Sequence, residues 1–67
     1  MILRTKMKEY RAKHSLSQDD LAKAVGVRRE TISNIENGKY NPSLKLGIDI
    51  AKELQVPVEE LFYFDEE

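Results

Sequence analysis

Over most of this 67-residue chain the apolar positions recur three and four apart, the period of short amphipathic helices rather than the alternation of strands. Leu21, Ala22 and Val25 share one face of a segment over 17–25, while Gln18, Asp19 and Lys23 stand on the opposite face. Ser17 is placed as its N-cap, with Asp20 three residues on in a capping-box position, although Asp is shorter than the preferred Glu or Gln. Gly26 can adopt the left-handed conformation that stops this helix and turns the chain. The next helix is expected over 28–37, with Ile32 and Ile35 inward and Gly38 ending it. Ahead of these, Met7 and Tyr10 among Lys6, Lys8, Arg11 and Lys13 predict a helix over 6–13. Behind them, Pro42 resists continuation and Ser43 caps a fourth helix over 43–54. Its apolar line is read as Leu44, Ile48 and Ala51, and Gly47 as a packing accommodation. Pro57 suits the start of a last short helix over 58–62, where Glu59 and Glu60 favour the positive helix end.

Both ends break this pattern. Met1, Ile2 and Leu3 open the chain, and Phe62, Tyr63 and Phe64 are too bulky and apolar to leave in water. Strands near 1–4 and 62–65 are expected to pair as a small sheet, which could also meet its copy in a second subunit; a disordered acidic tail and a continued helix are the alternatives.

Without cysteine a chain of this length has no covalent staple, so a small apolar core must supply its stability, and self-association would add burial. One domain over 1–67 is expected. The net charge of −1 hides a division: residues 1–45 carry ten Lys/Arg against five Asp/Glu, and 46–67 carry one against seven. Such a split can turn a basic face toward phosphates and hold carboxylates away from them. No apolar run is long enough to span a bilayer and the start lacks an export signal, so a cytoplasmic protein without a membrane partner is expected. Enzyme chemistry is excluded on similar grounds. His14 is the only histidine, and neither a Ser-His-Asp set nor a phosphate-binding loop is present. No catalytic residue, metal ligand or cofactor site is assigned, since the C-terminal carboxylates lack metal-loop spacing. His14 either terminates the first helix or approaches a ligand.

Two helices with a three- or four-residue junction form the geometry in which the first lies across a DNA backbone and the second enters the major groove. On the second helix Arg29, Glu30, Ser33 and Asn34 project from neighbouring turns while Ile32 and Ile35 bury. Arg29 could pair with guanine and Asn34 with adenine. Glu30 could accept from cytosine or instead orient the guanidinium of Arg28 or Arg29. The Thr31 methyl could touch thymine or cover the core, and Arg28 suits a phosphate as well as a base. Gln18, at the start of its helix beside free backbone N–H groups, is a phosphate contact, as are Asn37 and Lys39 after the recognition helix.

The segments LSQDDLAKAVGVRRETISNIENGKYNPS and IAKELQVPVEELF resemble the phage Cro and repressor-like helix-turn-helix domains of bacterial and archaeal regulators, over roughly residues 6–62. The combination of Leu16, Ser17, Gln18, Leu21, Ala22, Gly26, Val27, Ile32, Ile35, Glu36, Gly38, Pro42, Ile50, Ala51, Leu54 and Leu61 carries the likeness. It implies an all-α, compact five-helix, lambda-repressor-like domain that binds operator DNA as a symmetric dimer, most often as a repressor. The same resemblance implies a phosphate role for Gln18, base reading by Arg29, Glu30, Ser33 and Asn34, and backbone contacts at Asn37 and Lys39. It also implies that Arg11 bridges to Glu36 and is thereby oriented toward phosphates. Two departures stand out: Arg28 occupies the position where such domains commonly cap the third helix with Ser or Thr, and the two ends extend beyond the five-helix core. The dimer could use the terminal sheet, helix five, or both. Rival readings are an antitoxin that represses its own operon while holding a toxin, and a protein-interaction module using the apolar MIL and FYF ends.

Overall fold

The computed structural model describes residues 1–66. In chain order it contains β1 (Ile2–Thr5), α1 (Met7–Lys13), α2 (Gln18–Val25), α3 (Arg29–Glu36), α4 (Leu44–Glu53), α5 (Val58–Leu61) and β2 (Phe62–Asp65). Five helices and a small antiparallel sheet are thus present, with Ile2 opposite Asp65 and Thr5 opposite Phe62.

Local chemistry explains most of the boundaries. The Ser17 hydroxyl accepts the Asp20 N–H while the Asp20 carboxylate accepts the Ser17 N–H, both at 3.0 Å, so the shorter Asp does close the capping box. The bond from the Ser17 N–H stabilises the charged carboxylate and holds Asp20 below its ordinary pKa. Ser43 caps α4 by accepting the Leu46 N–H at 3.1 Å. At the start of α1 the cap position, Lys6, makes no side-chain cap bond, and the Thr5 hydroxyl accepts the Met7 N–H instead. Gly26 ends α2 with φ +77°.

Met7, Leu21, Ala22, Ile32, Ile35, Ile50, Ala51, Leu54, Val56 and Leu61 form the core. Helices α2, α3 and α4 contribute most of it, and Met7 and Leu61 close it from the sheet side. His14 ties α1 to the end of α4: its Nε2 lies 2.8 Å from the Leu54 carbonyl oxygen, which can only accept, so this nitrogen carries the hydrogen. Among the alternatives for His14, the structure supports termination of α1.

Two expectations are corrected. Leu44 does not face inward. It is 77% exposed and Ile48 is half-buried, and the buried face of α4 is Gly47, Ile50 and Ala51, because the stripe that meets the core is rotated about the helix axis away from Leu44 and Ile48. Phe62 belongs to β2 and not to the last helix, since an extended conformation there opens the pairing with Thr5. The first strand, expected near 1–4, is present as Ile2–Thr5. Gly47 is a packing position as expected: a Cβ there would lie 3.6 Å from the Phe62 ring.

Candidate nucleic-acid interface

Three residues join α2 to α3. Gly26 turns the chain, half-buried Val27 packs against the core, and its N–H donates to the Ala22 carbonyl at 3.0 Å. Arg28 then takes the extended cap conformation of α3 without any side-chain cap bond. The amides of Arg29 and Glu30 in the first helical turn therefore point outward without a helical acceptor, beside the cationic side chains of Arg28 and Arg29.

Ile32 and Ile35 are 0% and 3% exposed, which locks one side of α3 to the core. On the other side Arg28, Arg29, Glu30 and Asn34 are exposed, while Thr31 and Ser33 are half-buried at the margin. Among the described residues none of Arg28, Arg29, Glu30 and Lys39 takes part in an ion pair. Glu30 therefore does not hold either neighbouring guanidinium. Three charges and an amide are presented together with no internal partner, the arrangement a groove-reading helix requires.

Behind this face the structure assembles a polar cluster from three helices. The Arg11 guanidinium donates to the Glu36 carboxylate through Nε at 2.6 Å and Nη2 at 3.0 Å, and its Nη1 donates to the Leu16 carbonyl at 3.0 Å. Gln18 Nε2 donates to the same carboxylate at 3.1 Å. Hydrogen bonding to Glu36 raises the Arg11 pKa against the opposing effect of burial. The Arg11 and Glu36 side chains are only 13% and 7% exposed, so Arg11, with half-buried Gln18 held beside it, is less accessible than the exposed Arg28, Asn37 and Lys39. The amides of Gln18 and Asp19 lie at the open end of α2.

After α3, Asn37 and Lys39 are exposed around Gly38, whose φ of +75° reverses the chain. Asn37 Nδ2 reaches the Ser33 hydroxyl at 3.4 Å, linking the turn to the helix face. Two features were missed in the sequence. Tyr40, read there only as linker, is 47% exposed directly after Lys39; a bulky aromatic in a polar turn was the available signal. The bond from Gln18 to Glu36 had no local signal, because it spans two helices.

The helix-turn-helix family profile matches residues 7–61, the whole of α1 to α5. The chain belongs to the Cro/C1-type helix-turn-helix family. An uncharacterized HTH-type transcriptional regulator of Archaeoglobus fulgidus is 57% identical over 65 residues, covering 97% of this chain and 92% of that protein. The uncharacterized HTH-type transcriptional regulator YgzD of Bacillus subtilis is 42% identical and covers 97% and 98% of the two chains. Among solved structures, the restriction-modification controller protein C.AhdI of Aeromonas hydrophila superposes with a TM-score of 0.75 at 31% identity, over 81% of this chain and 82% of its own. This regulator is a DNA-binding protein of transcription and not an enzyme. No helix among the described residues is long and apolar enough to cross a membrane.

Proposed function

We propose that this regulator is a cytoplasmic homodimeric repressor that reads a palindromic operator with α3 in the major groove of double-stranded DNA. The observation that carries this reading is the two-sided character of α3. Ile32 and Ile35 are buried in the core, while the charges of Arg28, Arg29 and Glu30 stand exposed without an ion pair among the described residues. Arg29, Glu30, Thr31, Ser33 and Asn34 are the base contacts: Arg29 to guanine, Asn34 to adenine and Glu30 to the cytosine amino group, with Thr31 and Ser33 at the edge of the helix face. Arg28, Gln18, Asn37 and Lys39 hold phosphates. Arg11 acts chiefly by fixing Gln18 through their shared Glu36 carboxylate, with its remaining N–H groups directed to the backbone.

One short helix reads only a few base pairs, so two copies on a two-fold axis are needed for a selective site, with half-site centres about 34–36 Å apart. Repression follows from occupancy, since a dimer seated on a promoter excludes polymerase without further contacts. Selection from randomised duplexes followed by gel-shift titration tests the proposal. The expected result is an enriched inverted repeat bound more weakly as salt rises, because each neutralised phosphate releases counterions. Failure to enrich any duplex at low ionic strength would refute it.

A further inference from the structure

We infer that the cleft between the start of α1, α5 and β2 binds a free basic amino acid, a small ligand with one carboxylate and two cationic groups. A cavity of about 550 Å³ opens there, lined by Lys6, Tyr10, Glu59, Glu60 and Tyr63. Its volume lies within the range of small-molecule sites. None of these five side chains belongs to the DNA face, so the assignment is independent of operator reading. Backbone bonds hold the walls in place. The Lys6 N–H donates to the Leu61 carbonyl at 2.8 Å, and the Lys6 carbonyl accepts the Tyr10 N–H at 3.1 Å, so one residue ties α1 to the end of α5. The Glu60 N–H donates to the Pro57 carbonyl at 3.0 Å, and Tyr63 is fixed opposite Arg4 in the sheet.

What sets this cavity apart is opposite charge that is not neutralised internally. Among the described residues Lys6, Glu59 and Glu60 take part in no ion pair, although they line one space. The Lys6 ammonium is met only by the Tyr63 ring, 5.9 Å from its centroid, and Lys13 stands at the same distance from the Tyr10 ring. Both rings thus already seat an ammonium group. Lys6 still has N–H donors that the ring does not use. Two other cavities differ in this respect. In the cleft between β1 and the end of α3, Arg4 is bonded to Asp65 and Glu36 to Arg11. In the one beside the start of α4, Lys45 bonds Asp49 at 2.7 Å.

Charge selects the ligand. The lining offers one ammonium and two carboxylates. Lysine or arginine in its neutral-pH form offers the reverse, one carboxylate and two cations, and so matches the lining group for group. Its carboxylate accepts from Lys6, its two cationic groups donate to Glu59 and Glu60, and its alkyl stem lies against Tyr10 and Tyr63. A neutral amino acid leaves one glutamate unmatched, and a diamine leaves Lys6 unmatched.

The test is calorimetric titration of the full chain, at low salt, with L-lysine, L-arginine and two lysine analogues: cadaverine, which lacks the carboxylate, and L-norleucine, which lacks the side-chain ammonium. The expected result is saturable one-site binding of lysine or arginine, about tenfold weaker for each analogue of lysine. Lys6→Met should weaken lysine about tenfold and leave cadaverine unchanged, whereas Glu59→Gln and Glu60→Gln should weaken both. Lys8→Met and Glu53→Gln make the same charge changes outside the cavity and should alter nothing. All five altered side chains are exposed, and circular dichroism checks that each variant is folded. Arg29→Ala should bind lysine as the unmodified chain does, which separates this site from the DNA reading. No heat of binding for either amino acid overturns the inference, as does cadaverine or norleucine binding as well as lysine. Equal losses in the Lys8 and Glu53 variants would reduce the effect to general attraction between charges and overturn it too. Binding of an oligolysine peptide with none of the free amino acids would give the cleft to a protein partner and overturn the small-ligand assignment.

Discussion

The α2–α3 unit and the terminal sheet are both surface regions built from short elements, yet they treat charge in opposite ways. On α3 the charges of Arg28, Arg29 and Glu30 have no ion pair among the described residues, while in the sheet Arg4 binds Asp65 and Lys6 lies over Tyr63. The first region holds polar capacity for an external ligand; the second satisfies its charges and leaves apolar rings and backbone edges uncovered. An interface is therefore recognised less by its composition than by which of its groups lack an internal partner.

The comparison breaks most completely if the scaffold beneath α3 fails. Ile32→Ala empties a fully buried site and should destabilise the protein by about 2–5 kcal/mol, enough to unfold much of so small a chain. Denaturant melts would show this, and DNA binding should fall only in proportion to the unfolded fraction. Next, Glu36→Ala strands the Arg11 guanidinium and frees Gln18, with an expected loss of about 3 kcal/mol. Replacing Arg11 and Glu36 together with apolar residues should recover much of that stability but not phosphate contact at Gln18, a separation visible by comparing melts with gel shifts.

Arg29→Ala leaves the fold unchanged and should remove about 1–3 kcal/mol of discrimination at one base pair, whereas Lys39→Ala weakens all duplexes alike and lowers the salt slope. Equal losses on every sequence for Arg29→Ala would assign that side chain to the phosphates. The smallest expected effect concerns acid. Asp20 has a folded pKa below its ordinary value, so its contribution is present above the unfolded pKa of about 4 and disappears as pH falls through the folded one. Asp20→Asn should flatten that acid limb in thermal melts recorded against pH and leave binding at neutral pH unaltered.

The helices could be read in the chain because their determinants are local. The Ser17–Asp20 cap, the left-handed Gly26 and the spacing of Ile32 and Ile35 act within one or two turns, and the structure contains all of them. The exposed side of α3 was legible for the same reason: once two isoleucines point inward, helical geometry directs Arg29, Glu30 and Asn34 outward. Leu44 was misread because α4 carries apolar residues on more than one side, so spacings of three and four fit two stripes, and only packing selects the one through Gly47, Ile50 and Ala51.

By itself the sequence determined the helix caps and turns, the buried stripe of each central helix and the separation of basic from acidic halves, since each depends on neighbours a few residues away. Only the tertiary structure decided that Glu36 gathers both Arg11 and Gln18, that His14 bonds the Leu54 carbonyl, and that β1 covers one edge of β2 and leaves the other bare. Those contacts join residues far apart in the chain, where no period or cap constrains the partner and packing around the shared core alone sets the distance.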